Sequence, residues 1–319
     1  MNSKNFKIWT LTDGSEGMLS QVLGLAQEFS NNIHQIKTEL KFPWSILQPG
    51  ILPIFKFIFK NKIPDNNLPN LLISCGRKSV YLSVFLKKNY SDIISIHIQN
   101  PKIAYKNFDY IISPNHDNIK GNNIINSVGA IHKFDYEKLL KIEENFDIPK
   151  KNLLSCLIGG QNQHYYFREN EAIELCNSIM KLKYKYPQTN LLIISSRRTS
   201  VRIKQIIKNK FNSISNLWLG NGKNPYEFAL KYSSKFIVTS DSSSMISEAA
   251  ISGKPIYVYN LPFKRISKRF EKFHEEYKRL NITRDLNNIS NFDDWSYSPL
   301  NESKRIAGII KERIIEDNL

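Results

Sequence analysis

The stretch Thr239-Ser240-Asp241-Ser242-Ser243-Ser244-Met245, with Glu248 a few residues on, has the greatest capacity for chemistry in this sequence. An apolar run at 236–239 leads into it, and a helical composition follows. Small hydroxyl residues between a strand and a helix turn several backbone N–H groups and the positive helix end towards one anion-sized site. Glu248, at i+4 from Ser244, could accept hydrogen bonds from ribose hydroxyls. The plainer reading is an Asp/Ser N-cap before an ordinary core helix. Two neighbouring loops have compatible chemistry. Gly159-Gly160 closes the run 153–158, and Ser196-Arg197-Arg198-Thr199 closes 191–195, where paired guanidinium forks beside hydroxyls suit phosphate oxygens. An exposed arginine pair is also ordinary solvated surface.

The first half offers carboxylates and a histidine. Thr12-Asp13-Gly14-Ser15-Glu16-Gly17 ends the apolar run 7–11 and opens a helix. Its two glycines let backbone N–H groups approach a ligand, and Asp13 and Glu16 could accept a proton. Capping by Asp13 or Ser15, with Glu16 in the first turn, explains the same residues structurally. The G-x-G-x-x-G dinucleotide spacing is absent. Asn115-His116-Asp117 follows the run 110–113, and a loop histidine titrating near neutrality is a candidate base. Gly76-Arg77-Lys78-Ser79 opens another helix and could hold a phosphate or an acidic acceptor, or simply cap the helix.

The elements that must position these loops follow an alternating pattern. Ile/Val/Leu-rich runs at 7–11, 33–38, 71–74, 93–98, 110–113 and 124–128, then 153–158, 191–195, 216–219, 236–239 and 256–259, alternate with helix-length amphipathic segments. This is the signature of parallel strands buried on both faces. The expected fold is α/β, two Rossmann-like domains facing across a cleft, with ligands beyond the carboxyl ends of the strands. The charged segment 136–151 reads as a helix and linker, placing a boundary near Lys150 between a first domain (1–150) and a second (151–319), with the last helix packing back on the first domain.

Composition narrows the class. The chain has 319 residues, 45 Lys+Arg against 29 Asp+Glu and 41% hydrophobic residues, which suits two cored domains and excludes disorder as the main state. Residues 1–150 hold 18 basic and 13 acidic residues, and residues 151–319 hold 27 and 16, so the second half should meet something anionic. No helix-turn-helix, RRM or zinc pattern accompanies the charge, and nucleic acid is not an expected partner. Cys75, Cys156 and Cys176 stand apart, without metal-ligand spacing or a secretory leader, so a reduced, cytoplasmic protein without a metal is expected. The most apolar stretch, 42–59, is interrupted by Gln48, Pro49, Gly50, Pro53 and Lys56 and cannot span a bilayer. With its aromatics and lysines it reads either as an interfacial segment or as a covered helix. Residues 263–280 place Ile266, Phe270, Phe273, Tyr277 and Leu280 on one stripe among many cations, a solvated face or one for anionic lipid or a phosphorylated acceptor.

Taken together, the loops resemble the mitochondrial fission ELM-type family and its bacterial members. The matching strings are Trp9-Thr10-Leu11-Thr12-Asp13-Gly14, Gly76-Arg77, Gln99-Asn100-Pro101, Pro114-Asn115-His116-Asp117, Gly159-Gly160, Ser196-Arg197-Arg198-Thr199, Asn224-Pro225-Tyr226 and Thr239-Ser240-Asp241-Ser242 through Met245, Glu248 and Gly253-Lys254-Pro255. The segment Ser15-Glu16-Gly17-Met18 departs from the family pattern, which has a histidine beside the second glycine. The resemblance implies a GT-B glycosyltransferase-like fold. It also implies a nucleotide-diphosphate sugar as donor, without cofactor or metal, and a lipid-linked or cell-envelope glycan as acceptor, at the inner face of an anionic membrane. By the same resemblance the first domain (1–150) is the acceptor-side domain and the second (151–319) the nucleotide-sugar domain. Gly159, Gly160, Arg197, Arg198, Thr199, Asn224, Pro225, Tyr226, Ser242, Ser243, Ser244, Met245 and Glu248 would then line the nucleotide-sugar site. Glu16, Asp13 or His116 would act as base, and Gly14, Gly17, Arg77 and Asp117 would hold the acceptor or a phosphate. A non-catalytic membrane-associated adaptor and a nucleotide-sugar epimerase are the rival readings.

Overall fold

The computed structural model describes residues 6–60, 62–63, 67–143, 146–288 and 291–316. They divide into two units: unit 1 runs to Lys133 and resumes at Asn301, and unit 2 is Phe134–Leu300. Each is a six-stranded, all-parallel sheet with helices on both faces.

In unit 1 the strands are β1 (Ile8–Thr12), β2 (Ile33–Lys37), β3 (Leu71–Cys75), β4 (Ile94–Ile98), β5 (Tyr110–Pro114) and β6 (Ile124–Ser127), in the order β2-β1-β3-β4-β5-β6. Side chains alternate across a strand, so β1 sends Ile8 to one core and Trp9 and Leu11 to the other. The first core is closed by Val22, Leu25 and Ala26 of α1 (Glu16–Ala26) and by Ile306, Ala307 and Ile310 of α9 (Glu302–Glu316). The second is closed by Tyr81, Leu82 and Leu86 of α2 (Arg77–Asn89). The chain's last described helix is thus part of unit 1, fastened by Val128 N–H to Glu302 Oε2 (2.8 Å) and Ser303 Oγ–H to the His132 carbonyl (2.8 Å).

Unit 2 opens with α3 (Tyr136–Lys141) and continues through β7 (Leu153–Ile158), α4 (Glu169–Lys185), β8 (Asn190–Ser195), α5 (Val201–Phe211), β9 (Asn216–Trp218), α6 (Tyr226–Tyr232), β10 (Lys235–Thr239), α7 (Ser243–Ala249), β11 (Ile256–Tyr259), α8 (Lys268–Arg279) and β12 (Thr283–Asp285). The sheet order is β12-β11-β10-β7-β8-β9. Burial of every β7 residue makes it the spine of the core, against which α4 sets Ala172, Leu175, Cys176 and Ile179 at helical spacing. The three cysteines are buried and free.

Two expectations are corrected. The division falls at Phe134 and not near Lys150, because α3 packs with α6 and the Ile142 carbonyl accepts from Lys231 Nζ (2.6 Å). The segment 136–151 is a helix, α3 (Tyr136–Lys141), followed by irregular backbone, as the sequence implied, and its residues 144–145 lie outside the described residues. Residues 42–59 are not a covered helix: they form irregular backbone with one 3₁₀ turn, Lys56–Ile58, as their prolines and glycine dictate. The edge strand β12 was not foreseen, since a short, part-polar strand carries no apolar run.

Candidate functional site

In unit 2 the chain runs from β7 to β8 on one side and returns to place β10 on the other, so the carboxyl ends of β7 and β10 frame a topological switch point. Three loops meet there: Gly159-Gly160 after β7, Ser196–Thr199 after β8 and Ser240–Ser242 after β10. Asp241 joins them. Its Oδ2 accepts from Gly160 N–H (3.0 Å) and pairs with Arg198 Nη2 (2.7 Å), while Oδ1 accepts from the Thr239 hydroxyl (2.6 Å). Thr239 Oγ1 in turn accepts from Gly159 N–H (2.8 Å). Thr199 Oγ–H donates to the Gly159 carbonyl (2.5 Å). Burial pushes the Asp241 carboxyl up, opposed by the Arg198 guanidinium, the Thr239 hydroxyl and the Gly160 N–H.

The two glycines are required by packing. A Cβ on Gly160 would lie 2.1 Å from the Arg198 carbonyl oxygen, and one on Gly159 would lie 2.2 Å from Asp241 Oδ1. Behind the loop, His274 of α8 contacts the Ser240 carbonyl through Nε2 at 3.1 Å. Burial pushes its pKa down to about 4, so the ring is neutral near pH 7, and since a carbonyl only accepts, Nε2 carries the proton.

Glu248 is half-buried on α7, and its Oε2 accepts from the Tyr226 hydroxyl at 2.5 Å. Burial, and then the Glu248 charge, raise the pKa of that hydroxyl well above the usual tyrosine range, so it stays a donor. Asn224 Oδ1 accepts from Tyr226 N–H (3.1 Å) and fixes the turn into α6, with Pro225 buried beneath it. Ser242 caps α7 by accepting from Met245 N–H (3.4 Å). The Ser243 carbonyl accepts from Ser247 Oγ, and Ser243, Ser244 and Met245 are half-buried in the first turn. Arg197 is exposed.

The nucleotide-side residues expected from the sequence therefore occupy the ends of adjacent strands β8, β7 and β10 and the helices α6 and α7. Arg198 and Thr199 are committed to internal bonds, although the Arg198 side chain stays 40% exposed, and Arg197 is exposed beside them. Asp241, Thr239 and His274 were missed as site-builders. A lone Asp between hydroxyl residues, opposite a Gly-Gly strand end, is the signal that could have found the first two; His274 lies in a helix whose pattern gave no hint.

In unit 1 the switch point lies between β1 and β3. Gly14 N–H donates to Thr12 Oγ1 (3.0 Å) and Ser15 N–H to Asp13 Oδ1 (3.0 Å), a local turn before α1. Glu16 and Gly17 are exposed in the first turn of α1. Gly76, at φ 87°, lets the chain turn from β3 into α2, and a Cβ there would meet Met18 Sδ at 2.4 Å. The Arg77 guanidinium is directed to the Ser45 carbonyl (2.5 Å) and the Leu47 carbonyl. His116 is buried in a 3₁₀ turn with Nε2 3.8 Å from Asp117 Oδ1. Two strands, β3 and β4, separate β5 from β1, an axis-to-axis spacing of about 14 Å, so His116 and Asp117 follow a different strand end from Asp13 and Glu16.

Comparison with known proteins gives concordant findings. The family described as mitochondrial fission ELM1 matches residues 16–314. An uncharacterized protein of Rickettsia prowazekii (strain Madrid E), RP120, is 30% identical over 350 residues, covering 95% of this chain and 97% of its own length. The mitochondrial fission protein ELM1 of Arabidopsis thaliana is 23% identical over 277 residues, covering 77% of this chain and 64% of its own. Among solved structures, a UDP-N-acetylglucosamine 2-epimerase superposes with a TM-score of 0.57 at 14% identity, over 99% of this chain and 97% of that one. The UDP-GlcNAc 2-epimerase of Neisseria meningitidis bound to UDP-GlcNAc gives 0.53 at 14%, over 97% and 99%. The glycosyltransferase of kitacinnamycin gives 0.54 at 11%, over 96% and 98%. At these identities the likeness is one of fold, the GT-B fold.

Proposed function

From the premise that the chain belongs to the mitochondrial fission ELM1 family and has the GT-B fold, we propose that it is a glycosyltransferase. It moves a sugar from a nucleotide-diphosphate donor to a lipid-linked or cell-envelope glycan acceptor. The observation that carries the reading is the switch point of unit 2, where Asp241 holds three strand-end loops in one arrangement, with Arg197 in the loop after β8 and Glu248 on the helix that follows β10. Such a crevice suits a nucleotide, and two neighbours of the same fold are named for acting on, or were solved with, UDP-GlcNAc.

In this reading the nucleotide lies across the ends of β7 and β10. The ribose hydroxyls donate to the Glu248 carboxylate, which Tyr226 orients through its 2.5 Å bond. As the glycosidic bond breaks, negative charge grows on the leaving diphosphate, and Arg197 with the N–H groups of the first turn of α7 stabilises it. The site uses no metal. Asp13 or Glu16, at the switch point of unit 1, takes the proton of the acceptor hydroxyl. Both epimerase neighbours favour a second reading in which the nucleotide sugar itself is the substrate and no acceptor takes part.

A thermal-shift panel of UDP, GDP, ADP, CMP and their sugars tests the nucleotide site, because a ligand that binds only the folded chain raises its midpoint. One nucleotide should stabilise the intact chain, and Glu248→Ala should lose that shift. Stabilisation by none of them would sink the reading and leave a non-catalytic adaptor on the same fold. Conversion of the bound sugar nucleotide without acceptor would select the epimerase.

A further inference from the structure

Residues 41–59 of unit 1 form a loop closed at its base by the Leu40–Phe59 bridge, by Lys41 N–H to the Ile58 carbonyl (2.8 Å) and by Lys60 N–H to the Glu39 carbonyl (3.0 Å). It is also held from within. Trp44 Nε1 donates to the Pro53 carbonyl (2.9 Å), and α2 contributes the Arg77 guanidinium to the Ser45 and Leu47 carbonyls and the Tyr81 hydroxyl to Leu47 (3.1 Å). Leu40, Ile58 and Phe59 enter the core.

The outer side chains of this fastened loop are apolar and in water. Phe42 is 76% exposed, Ile46 67%, Ile51 60%, Phe57 58% and Phe55 48%. Phe55 and Phe57 stack with ring centroids 5.4 Å apart, which joins their two apolar faces. Single exposed hydrophobes are ordinary; five on one short loop mark a surface that meets a partner. The charge of the loop says which. Lys41, Lys56 and Lys60 are all exposed, and no acidic residue occurs from Lys41 to Lys60. The nearest carboxylate in sequence, Glu39, is paired with Lys37 (2.7 Å).

We propose that loop 41–60 docks this protein on an anionic bilayer, with Phe42, Ile46, Ile51, Phe55 and Phe57 inserted at the headgroup–acyl boundary and the lysines on lipid phosphates. Aromatic and aliphatic side chains on a loop whose own charges are all cationic match that interface in both polarity and charge. Outward-pointing side chains on a loop with no carboxylate suit a fluid surface that closes around them better than a protein needing directional partners. Among the described residues no helix is long and apolar enough to cross a membrane, so this contact is one of attachment and not of spanning. It stands independently of which nucleotide, if any, unit 2 holds.

Flotation of the full chain with vesicles of phosphatidylcholine, alone or mixed with phosphatidylglycerol, tests it. The intact chain should float only with the anionic vesicles. Phe42→Ser/Phe57→Ser should weaken that binding by roughly 30-fold, and Lys41→Gln/Lys60→Gln by roughly 5- to 10-fold, with most of the salt dependence lost. Ile46→Ser/Ile51→Ser gives an independent loss should the first pair fail to fold. Absence of vesicle binding by the intact chain overturns the proposal. So does loss of binding only in Lys268→Gln/Lys272→Gln of α8, or a concentration-dependent dimer that Phe42→Ser/Phe57→Ser dissolves.

Discussion

Both sheets are parallel and reverse their strand order at a switch point, after two strands in unit 1 and after three in unit 2, and they differ in how the loops there are held. In unit 2 a side chain with no accessible carboxylate surface, Asp241, ties together the ends of β7, β8 and β10. In unit 1 the side-chain bonds of residues 12–16 are local, from Gly14 to Thr12 and Ser15 to Asp13, and Glu16 stands in water. A pre-built crevice suits a ligand whose shape is fixed, such as a nucleotide, and a lightly held loop suits a larger acceptor that must be admitted and released. The contrast is energetic, and it can be broken by mutation.

At neutral pH the largest effect should come from Asp241. Asp241→Ala strands the Arg198 guanidinium and leaves the Gly160 N–H and the Thr239 hydroxyl without their acceptor. Water can take up the part-exposed Arg198 guanidinium, so the cost is mainly that of the two stranded donors, about 2 to 3 kcal/mol, readable by urea unfolding. Gly160→Ala should be of similar severity because its Cβ meets backbone that cannot move aside. Asp13→Ala in unit 1 should cost under about 1 kcal/mol, the value of a turn-capping bond. Equal losses for Asp241→Ala and Asp13→Ala would abolish the contrast.

What was legible in the sequence follows the same division between local and long-range physics. Central strands are continuous apolar runs, so β3, β7 and β10 were readable, and with them the loops at their carboxyl ends. The family strings fixed the fold. Tertiary choices were not readable. Nothing local to Arg198 indicates that Asp241, far along the chain, will take its guanidinium, or that Arg77 will face the carbonyls of a loop that precedes it. The boundary was misplaced for the same reason, since a charged segment resembles a linker until α6 is seen to cover its apolar side. The mutual distance of Asp13 and His116 depends on strand order, which apolar runs do not encode.

Acid sharpens the comparison, because each unit holds a histidine whose pKa desolvation pushes down. His97 of β4 bonds Ser74 Oγ through Nδ1 (2.8 Å), and burial pushes its pKa down to about 3; His274 behind the unit 2 loop is pushed down to about 4. Both folded values lie below the unfolded value near 6.5, so the stabilisation is complete above that pH and is lost as pH falls through the folded values. Each ring should contribute a slope of about 1.4 kcal/mol per pH unit between pH 6.5 and its own folded value. His274→Gln should therefore flatten the acid limb by one proton, amounting to about 3 kcal/mol at pH 4. It should also perturb the Ser240 loop, and with it nucleotide binding, whereas His97→Gln should flatten the limb and spare that binding. An unchanged slope in both variants would mean that neither ring is held neutral.

The smallest effect concerns Gly17. It is the second residue of α1, and a Cβ there would meet nothing within 4 Å. Packing gives no reason for glycine at this position, and alanine has the higher helix propensity, so Gly17→Ala should stabilise unit 1 by about 0.5 kcal/mol. A residue that lowers stability without a packing reason, beside Glu16 and above the switch point, is accounted for if an acceptor must lie close against the backbone there. Gly17→Ala should then raise the unfolding midpoint slightly while lowering sugar transfer several-fold, through a higher KM for acceptor and an unchanged affinity for nucleotide. If transfer and acceptor KM are both untouched, the open space over Gly17 holds nothing, and the acceptor side of unit 1 must be sought elsewhere along its strand ends.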